Sequence, residues 1–305
     1  FLRIMAWLAV AGGAAQTAAA AGLDACREQL RTGQYAECLE AARRAVSEGA
    51  YQSDWRILEL ESMLAMGQYR EAGEYAEKAL MESRADLRLL RLAHMAYQRN
   101  GQDRQAAVIL ATVARIGSYR RVEYMNSGEA VALGQSLLLL NAEPRLVLEH
   151  FYNWAMKSDP NCREAYIAAG ALALAKQDFE LAANQYHEAL KRFGNDPDVQ
   201  HGLAQAYYYS DRSEMLAALD AALIANPRHV PSLILLAEHQ IDCETYEAAA
   251  KTLDRALGVN PWHPQVWAYR AVLAHLGNDP NTAESHRANA LKFWPDDPEV
   301  DYLIG

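Results

Sequence analysis

The sequence predicts an all-α protein built as a solenoid of antiparallel helix pairs, and three observations carry that prediction. Gly33-Gln34-Tyr35, Gly67-Gln68-Tyr69 and Gly101-Gln102-Asp103 stand 34 residues apart, and self-similarity at such a period marks a repeat architecture. Asp159-Pro160, Asp196-Pro197, Asn226-Pro227, Asn260-Pro261 and Trp294-Pro295 recur about one repeat apart and end each helical pair, because proline cannot continue a helix. Of the 305 residues 57 are alanine and only 5 are phenylalanine, a mixture that favours closely packed helices over sheets.

Taken in order, residues 1–21 read as a secretory leader: Arg3 is the sole charge before Asp24, Ile4 to Val10 is apolar, and small residues run to Ala21. That apolar run is well short of the roughly 20 residues a membrane span needs. No membrane span is expected after cleavage near Ala20 or Ala21, and the chain is expected to act outside the cytoplasm, in the periplasm or beyond the cell. Residues 22–116 hold repeats 1–3 and residues 128–297 hold repeats 4–8. Between them residues 117–127 are an insertion, which reads either as a binding loop (Tyr119, Arg120, Arg121, Tyr124) or as a longer helix and connection. Residues 298–305 read as the opening of a ninth repeat, so the natural protein is expected to continue.

The repeat frame can be tested on residues that did not define it. Where two helices touch most closely, the second should carry small residues seven apart. The first such position reads Cys38, Ala72, Ala106, Leu148, Ala182, Leu216, Ala249 and Ala283; the second reads Ala45, Ala79, Val113, Ala155, Ala189, Leu223, Ala256 and Ala290. Eleven of these sixteen are alanine, where composition alone would give three.

On these residues the chain resembles the tetratricopeptide repeat superfamily from Leu23 onward, most closely over Arg163 to Asp196 with Tyr166, Gly170, Phe179, Ala182, Tyr186 and Ala189 in place. The resemblance implies a right-handed α-solenoid, the TPR superhelix. The chain departs from the family pattern too: Leu148 and Leu216 replace a small residue, and Asp220 and Arg287 stand where a large apolar one is usual, which predicts splayed or wetted helix pairs there. The family also brings the positions of Cys26 and Cys38 face to face. They are then either a disulfide, favoured in an exported protein and worth about 3 kcal/mol, or two buried thiols.

The resemblance further implies binding on the concave face, formed by the first helix of each repeat. That face would present Arg27, Arg31, Arg88, Arg91 and Arg99 toward the N-terminus. Toward the C-terminus it would present Glu164, Asp198, His201, Tyr208, Tyr209, Glu238, Asp242 and His275. A groove basic at one end and acidic-aromatic at the other suits an extended peptide or a helix of segregated charge.

Catalytic patterns are missing from the sequence. His187-Glu188 is followed by Lys191 where a zinc-binding HExxH needs its second histidine, and GxSxG, GxxxxGK[ST] and GxGxxG do not occur. A formal charge of −10 disfavours nucleic acid. The expectation is an exported scaffold for another protein or peptide, with no cofactor, no metal and no catalysis, and with self-association open to it. A rival reading makes the array the recruiting arm of an envelope enzyme, as in exported bacterial relatives that carry a zinc peptidase domain.

Overall fold

The computed structural model describes residues 21–304; the expected leader falls on residues 1–21, of which 1–20 lie outside the described residues. The helices are α1 (residues 21–31), α2 (Tyr35–Ser47), α3 (Ser53–Ala65), α4 (Tyr69–Glu82), α5 (Leu87–Arg99), α6 (Asp103–Tyr119), α7 (Ser127–Leu139), α8 (Pro144–Val147), α9 (Asn153–Ser158), α10 (Arg163–Ala175), α11 (Phe179–Phe193), α12 (Pro197–Tyr207), α13 (Arg212–Ala225), α14 (Val230–Asp242), α15 (Tyr246–Leu257), α16 (Pro264–Leu276), α17 (Pro280–Ala290) and α18 (Pro298–Ile304). A π-helical segment, Leu148–Tyr152, joins α8 to α9 as one element. Eight antiparallel pairs result, followed by α18, with no strand among the described residues. None of the described helices is long and apolar enough to cross a membrane.

In pairs 2, 5 and 7 the second helix buries positions p, p+4 and p+7, as in Ala72, Ala76 and Ala79, or Ala182, Tyr186 and Ala189. This is the stripe a helix turns toward a neighbour. In pair 8 Ala290 is buried while Ala283 and Arg287 are only partly so, as expected of a wetted helix pair at Arg287. Two pairs correct the sequence frame. In the sixth, Met215, Leu219 and Ala222 are buried while Asp220 is exposed, so the stripe runs one residue earlier than Leu216 and Leu223 and the apolar position is filled by Leu219. In the fourth, Val147 and Ala155 are buried, eight apart. The π-helical turn absorbs the extra residue, and Val147, not Leu148, meets the first helix at Gly134. Pro197 also differs from expectation: it opens α12 at the first helical position, where the missing N–H is harmless.

The 117–127 segment is a longer second helix followed by a tied connection. α6 runs 17 residues against 13 in α2 and 14 in α4, and a 3-10 turn follows at Val122–Tyr124. Arg120 then grips both oxygens of Glu129 at 2.7 Å, while Glu129 and Asn126 form the capping box of α7. Arg120 is therefore committed internally, and Tyr119 and Tyr124 stand exposed.

Helix pairs turn on a left-handed residue: Gly33, Gly67 and Gly101 in the first three, then Asn141, Gln177, Glu244 and Asn278 in pairs 4, 5, 7 and 8. Each closes a Schellman turn, as in Gln68 N–H to the Met63 carbonyl (2.9 Å) and Gly67 N–H to the Leu64 carbonyl (3.2 Å). The three glycines differ from the rest by what covers them. The chain has come full circle, and the turns of pairs 1, 2 and 3 dock against the junctions that end pairs 6, 7 and 8. A side chain at Gly33 would overlap Asn226, one at Gly67 would overlap Asn260, and one at Gly101 would overlap the Phe293 carbonyl. Gly33 to Asn226, Gly67 to Asn260 and Gly101 to Trp294 are each 193 residues apart.

This seam is specific. Asn226 and Asn260 are buried; each accepts a bond from the backbone two residues on, at Arg228 (2.9 Å) and Trp262 (3.1 Å). Their amide groups reach across to Tyr35 and Tyr69 at 3.0 Å. Tyr69 also meets Phe293 edge to face at 5.7 Å, the Arg228 guanidinium lies over the Tyr35 ring, and Arg31 donates to the Asn195 carbonyl at 3.2 Å.

Candidate binding surface

The first helices of successive pairs pack against one another, and polar side chains on them meet at the repeat spacing. Asp54 takes Arg27 (2.7 Å) and Arg88 (3.1 Å), and Arg88 also reaches Asp86 at 3.0 Å and Ser53 at 3.2 Å. Burial opposes the charge on Arg88; Asp86 and Asp54 more than offset it and hold the guanidinium firmly protonated. Arg31 is clamped by both oxygens of Glu28. The expected basic end is thus largely neutralised from within. Arg91 differs: it is mostly enclosed, its Nε and one Nη lack partners, and burial lowers its pKa. Arg99 lies at the seam beside Tyr69, Trp262, Phe293 and Asp297.

At mid-array Arg163, which sequence reasoning missed, binds Asp196 at 2.6 and 2.9 Å and also pairs with Asp198. Burial would raise Asp198, yet Arg163 and His229, the latter at 3.0 Å, hold it well below the usual carboxylate range. His201 stacks edge-on against His229, and burial with that neighbour pushes it down to about 3. Glu164 is exposed and 3.8 Å from Arg163.

The C-terminal stretch keeps its charge. Tyr208 donates to Asp242 at 2.7 Å, and Tyr209, 82% exposed, stacks on Tyr208 and Phe179. Glu238 and Tyr269 stand beside Asp242. Burial raises the Glu238 carboxyl, with Asp242 adding to it, and burial with Glu238 raises the Tyr269 phenol. Neither Glu238 nor Asp242 has an ion-pair partner among the described residues. His275 is exposed near the end of α16. Tyr269 was also missed, although Tyr208/Asp242 and Asp54/Arg88 lie one period of 34 apart and are complementary pairs the sequence could have offered.

Cys26 and Cys38 are both buried in the first pair with Cα atoms 4.8 Å apart and their sulfurs in bonding contact. Among the described residues no group of three or more His, Cys, Asp or Glu is placed to hold a metal ion.

No protein-family model matches the chain, and no curated protein matches it in sequence. Solved structures do. The crystal structure of the APC/C hetero-tetramer Cut9–Hcn1 superposes with a TM-score of 0.60 at 14% identity, over 92% of this chain and 54% of that one. TTC0263, a thermophilic TPR protein from Thermus thermophilus, superposes with a TM-score of 0.50 at 20% identity, over 58% of this chain and 95% of that one. This chain spans about half the length of the first of these. At such identities the likeness is one of fold, and the fold is the tetratricopeptide-repeat α-solenoid.

Proposed function

We propose that this chain is a scaffold that binds another protein or an extended peptide on the inner face of its superhelix, without chemistry of its own. The observation that carries this reading is the wall formed by Tyr208, Tyr209, Glu238, Asp242 and Tyr269: carboxylates with no internal cation, set among aromatic rings. Such a wall fits Lys or Arg side chains of a partner, which gain ion pairs and ring contacts together. The binding segment is therefore basic, in place of the segregated charge expected from the sequence, because Arg27, Arg31 and Arg88 at the opposite end already have acidic partners. Export to an oxidising compartment is part of the proposal, supported by the leader-like composition of residues 1–21 and by the apposed Cys26 and Cys38.

Fluorescence anisotropy with labelled deca-arginine and deca-glutamate tests the binding reading. Deca-arginine should bind, and a Glu238→Gln/Asp242→Asn variant should weaken it about tenfold, the order expected for losing charge-assisted contacts. An Asp220→Asn/Glu284→Gln variant removes the same charge from exposed positions elsewhere. Equal loss in both variants would reduce the effect to net charge and sink the assignment.

A further inference from the structure

A buried cation ordinarily meets an anion, and Arg91 does not. Two of its guanidinium nitrogens, Nε and Nη1, are enclosed by protein and make no hydrogen bond, and no carboxylate among the described residues acts on it. Arg88, one helical turn earlier on α5, shows the usual arrangement, with Asp54 at 3.1 Å and Asp86 at 3.0 Å. A guanidinium taken out of water without compensation lowers stability, so the enclosed donors of Arg91 need a partner from outside the chain.

The ionisable neighbours of Arg91 are His94 on its own helix and the Tyr152 phenol, at the end of the π-helical segment of pair 4. His94 is already engaged: its Nδ1 lies 3.2 Å from the Ala106 carbonyl, and burial lowers the pKa of the ring. Tyr152 is only 1% exposed, yet its hydroxyl has no hydrogen-bond partner among the described residues, which is unusual for a buried tyrosine. Two local features hold that ring. Gly134 on α7 leaves room for it, since a methyl group there would stand 2.7 Å from a ring carbon. The π-helical turn puts Tyr152, rather than Phe151, into the buried stripe between Val147 and Ala155, and such turns occur frequently at functional sites.

The unmet donors define the ligand. Nη2, the guanidinium nitrogen that is not enclosed, shares one edge of the planar group with Nε and the other with Nη1. An anion with two oxygens side by side that reaches Nη2 therefore also satisfies an enclosed nitrogen, and Tyr152 offers a neutral donor beside it. One lone cation matches one negative charge, which favours a carboxylate over a doubly charged phosphate. Because Nη2 alone faces the opening, a free acid fits better than a group carried on a partner's backbone. We propose that Arg91 and Tyr152 form a binding site for a small free carboxylate, held bidentately by the guanidinium between α5 and the π-helical segment.

Proton NMR of the acetate methyl line, titrated with the protein as chloride is replaced by acetate at constant ionic strength, tests the site. The line should broaden with the parent protein. Arg91→Gln should weaken binding about tenfold or more, and Tyr152→Phe, which keeps the ring, about threefold. Far-UV circular dichroism checks that both variants fold, and acetate should raise the melting temperature of the parent but not of Arg91→Gln. Undiminished broadening with Arg91→Gln, or a parent melting temperature that ignores acetate, would overturn the site. Inorganic phosphate bound more tightly than acetate would overturn the carboxylate assignment. The tripeptide acetyl-Gly-Glu-Gly-amide should bind no more tightly than acetate; about tenfold tighter binding would overturn the free acid in favour of a partner's side chain. The site goes beyond the binding reading, since acetate reports on it whether or not deca-arginine binds.

Discussion

The Asn260 amide lies 3.0 Å from the Tyr69 hydroxyl, 191 residues earlier, and Asn226 repeats the contact with Tyr35 at the same separation and distance. Two copies of one interaction, displaced by one repeat, mean that both turns of the superhelix advance in step. Asn260→Ala removes the bond and leaves a buried hydroxyl, which should lower stability by about 1–3 kcal/mol. Thermal unfolding followed by circular dichroism checks the loss. Because the bond ties pairs 2 and 7, the variant should also widen the transition, as the two ends cease to unfold together.

Glycine at the seam can be separated from glycine as a turn former. Gly67 has φ +73° with Asn260 against it, whereas Asn278 occupies the same conformation at φ +57° away from any sealed turn. Asn tolerates the left-handed backbone, so Gly67→Asn should destabilise by about 1–3 kcal/mol through the collision of its side chain with Asn260. Asn278→Gly should be close to neutral. Equal effects in urea unfolding would mean that the seam imposes no constraint of its own.

Much of this was legible in the sequence, though under a different meaning. Gly33, Gly67, Gly101 and the Asn-Pro pairs served as markers of a period, and they do mark it. Their shared purpose, contact between repeats five apart, is not written in any local window. The helix pairs follow from the alanine stripe, but Leu148 and Leu216 misled the frame by one residue. At Leu148 a π-turn shifts the register without changing composition. For the inner face, residue types were readable while partnerships were not. Arg27, Arg31 and Arg88 look like a basic surface until the fold brings Asp54, Asp86 and Glu28 beside them.

The four cysteines should react in order of exposure. Burial pushes the Cys162 thiol up to about 12, so it is a poor nucleophile, while Cys243 is partly exposed. We expect iodoacetamide to add one group to the native protein, at Cys243. A second should add at Cys162 on denaturation, and two more at Cys26 and Cys38 only after reduction. Four additions to the denatured, unreduced protein would show that Cys26 and Cys38 are free thiols.

Tyr186 is pinched between two glycines, Gly170 on its own partner helix and Gly202 on the first helix of the next pair, and a methyl group at either would overlap its ring. Gly170→Ala or Gly202→Ala should cost about 1–3 kcal/mol by overpacking. Tyr186→Leu combined with Gly170→Ala should recover part of the loss by vacating the ring. A double variant whose loss equals the sum of the two single losses in chemical denaturation would contradict this, since residues in contact should not act additively.

Arg163 joins the caps of neighbouring pairs, with Asp196 buried to 1% and Asp198 45% exposed beside it. Removing the cation in Arg163→Met leaves Asp196 buried without compensation. Breaking a fully buried pair costs roughly 3–5 kcal/mol; solvent at Asp198 reduces this to about 2–3 kcal/mol at neutral pH. The sign with pH follows from Asp198, whose carboxyl is held below its ordinary range. That contribution is present above the unfolded-state pKa, about 3.9, and is lost as pH falls below it. The deficit of Arg163→Met relative to the parent should accordingly be larger at pH 7 than at pH 3. Equal deficits at the two values would show that the aliphatic stem of Arg163 matters more than its charge.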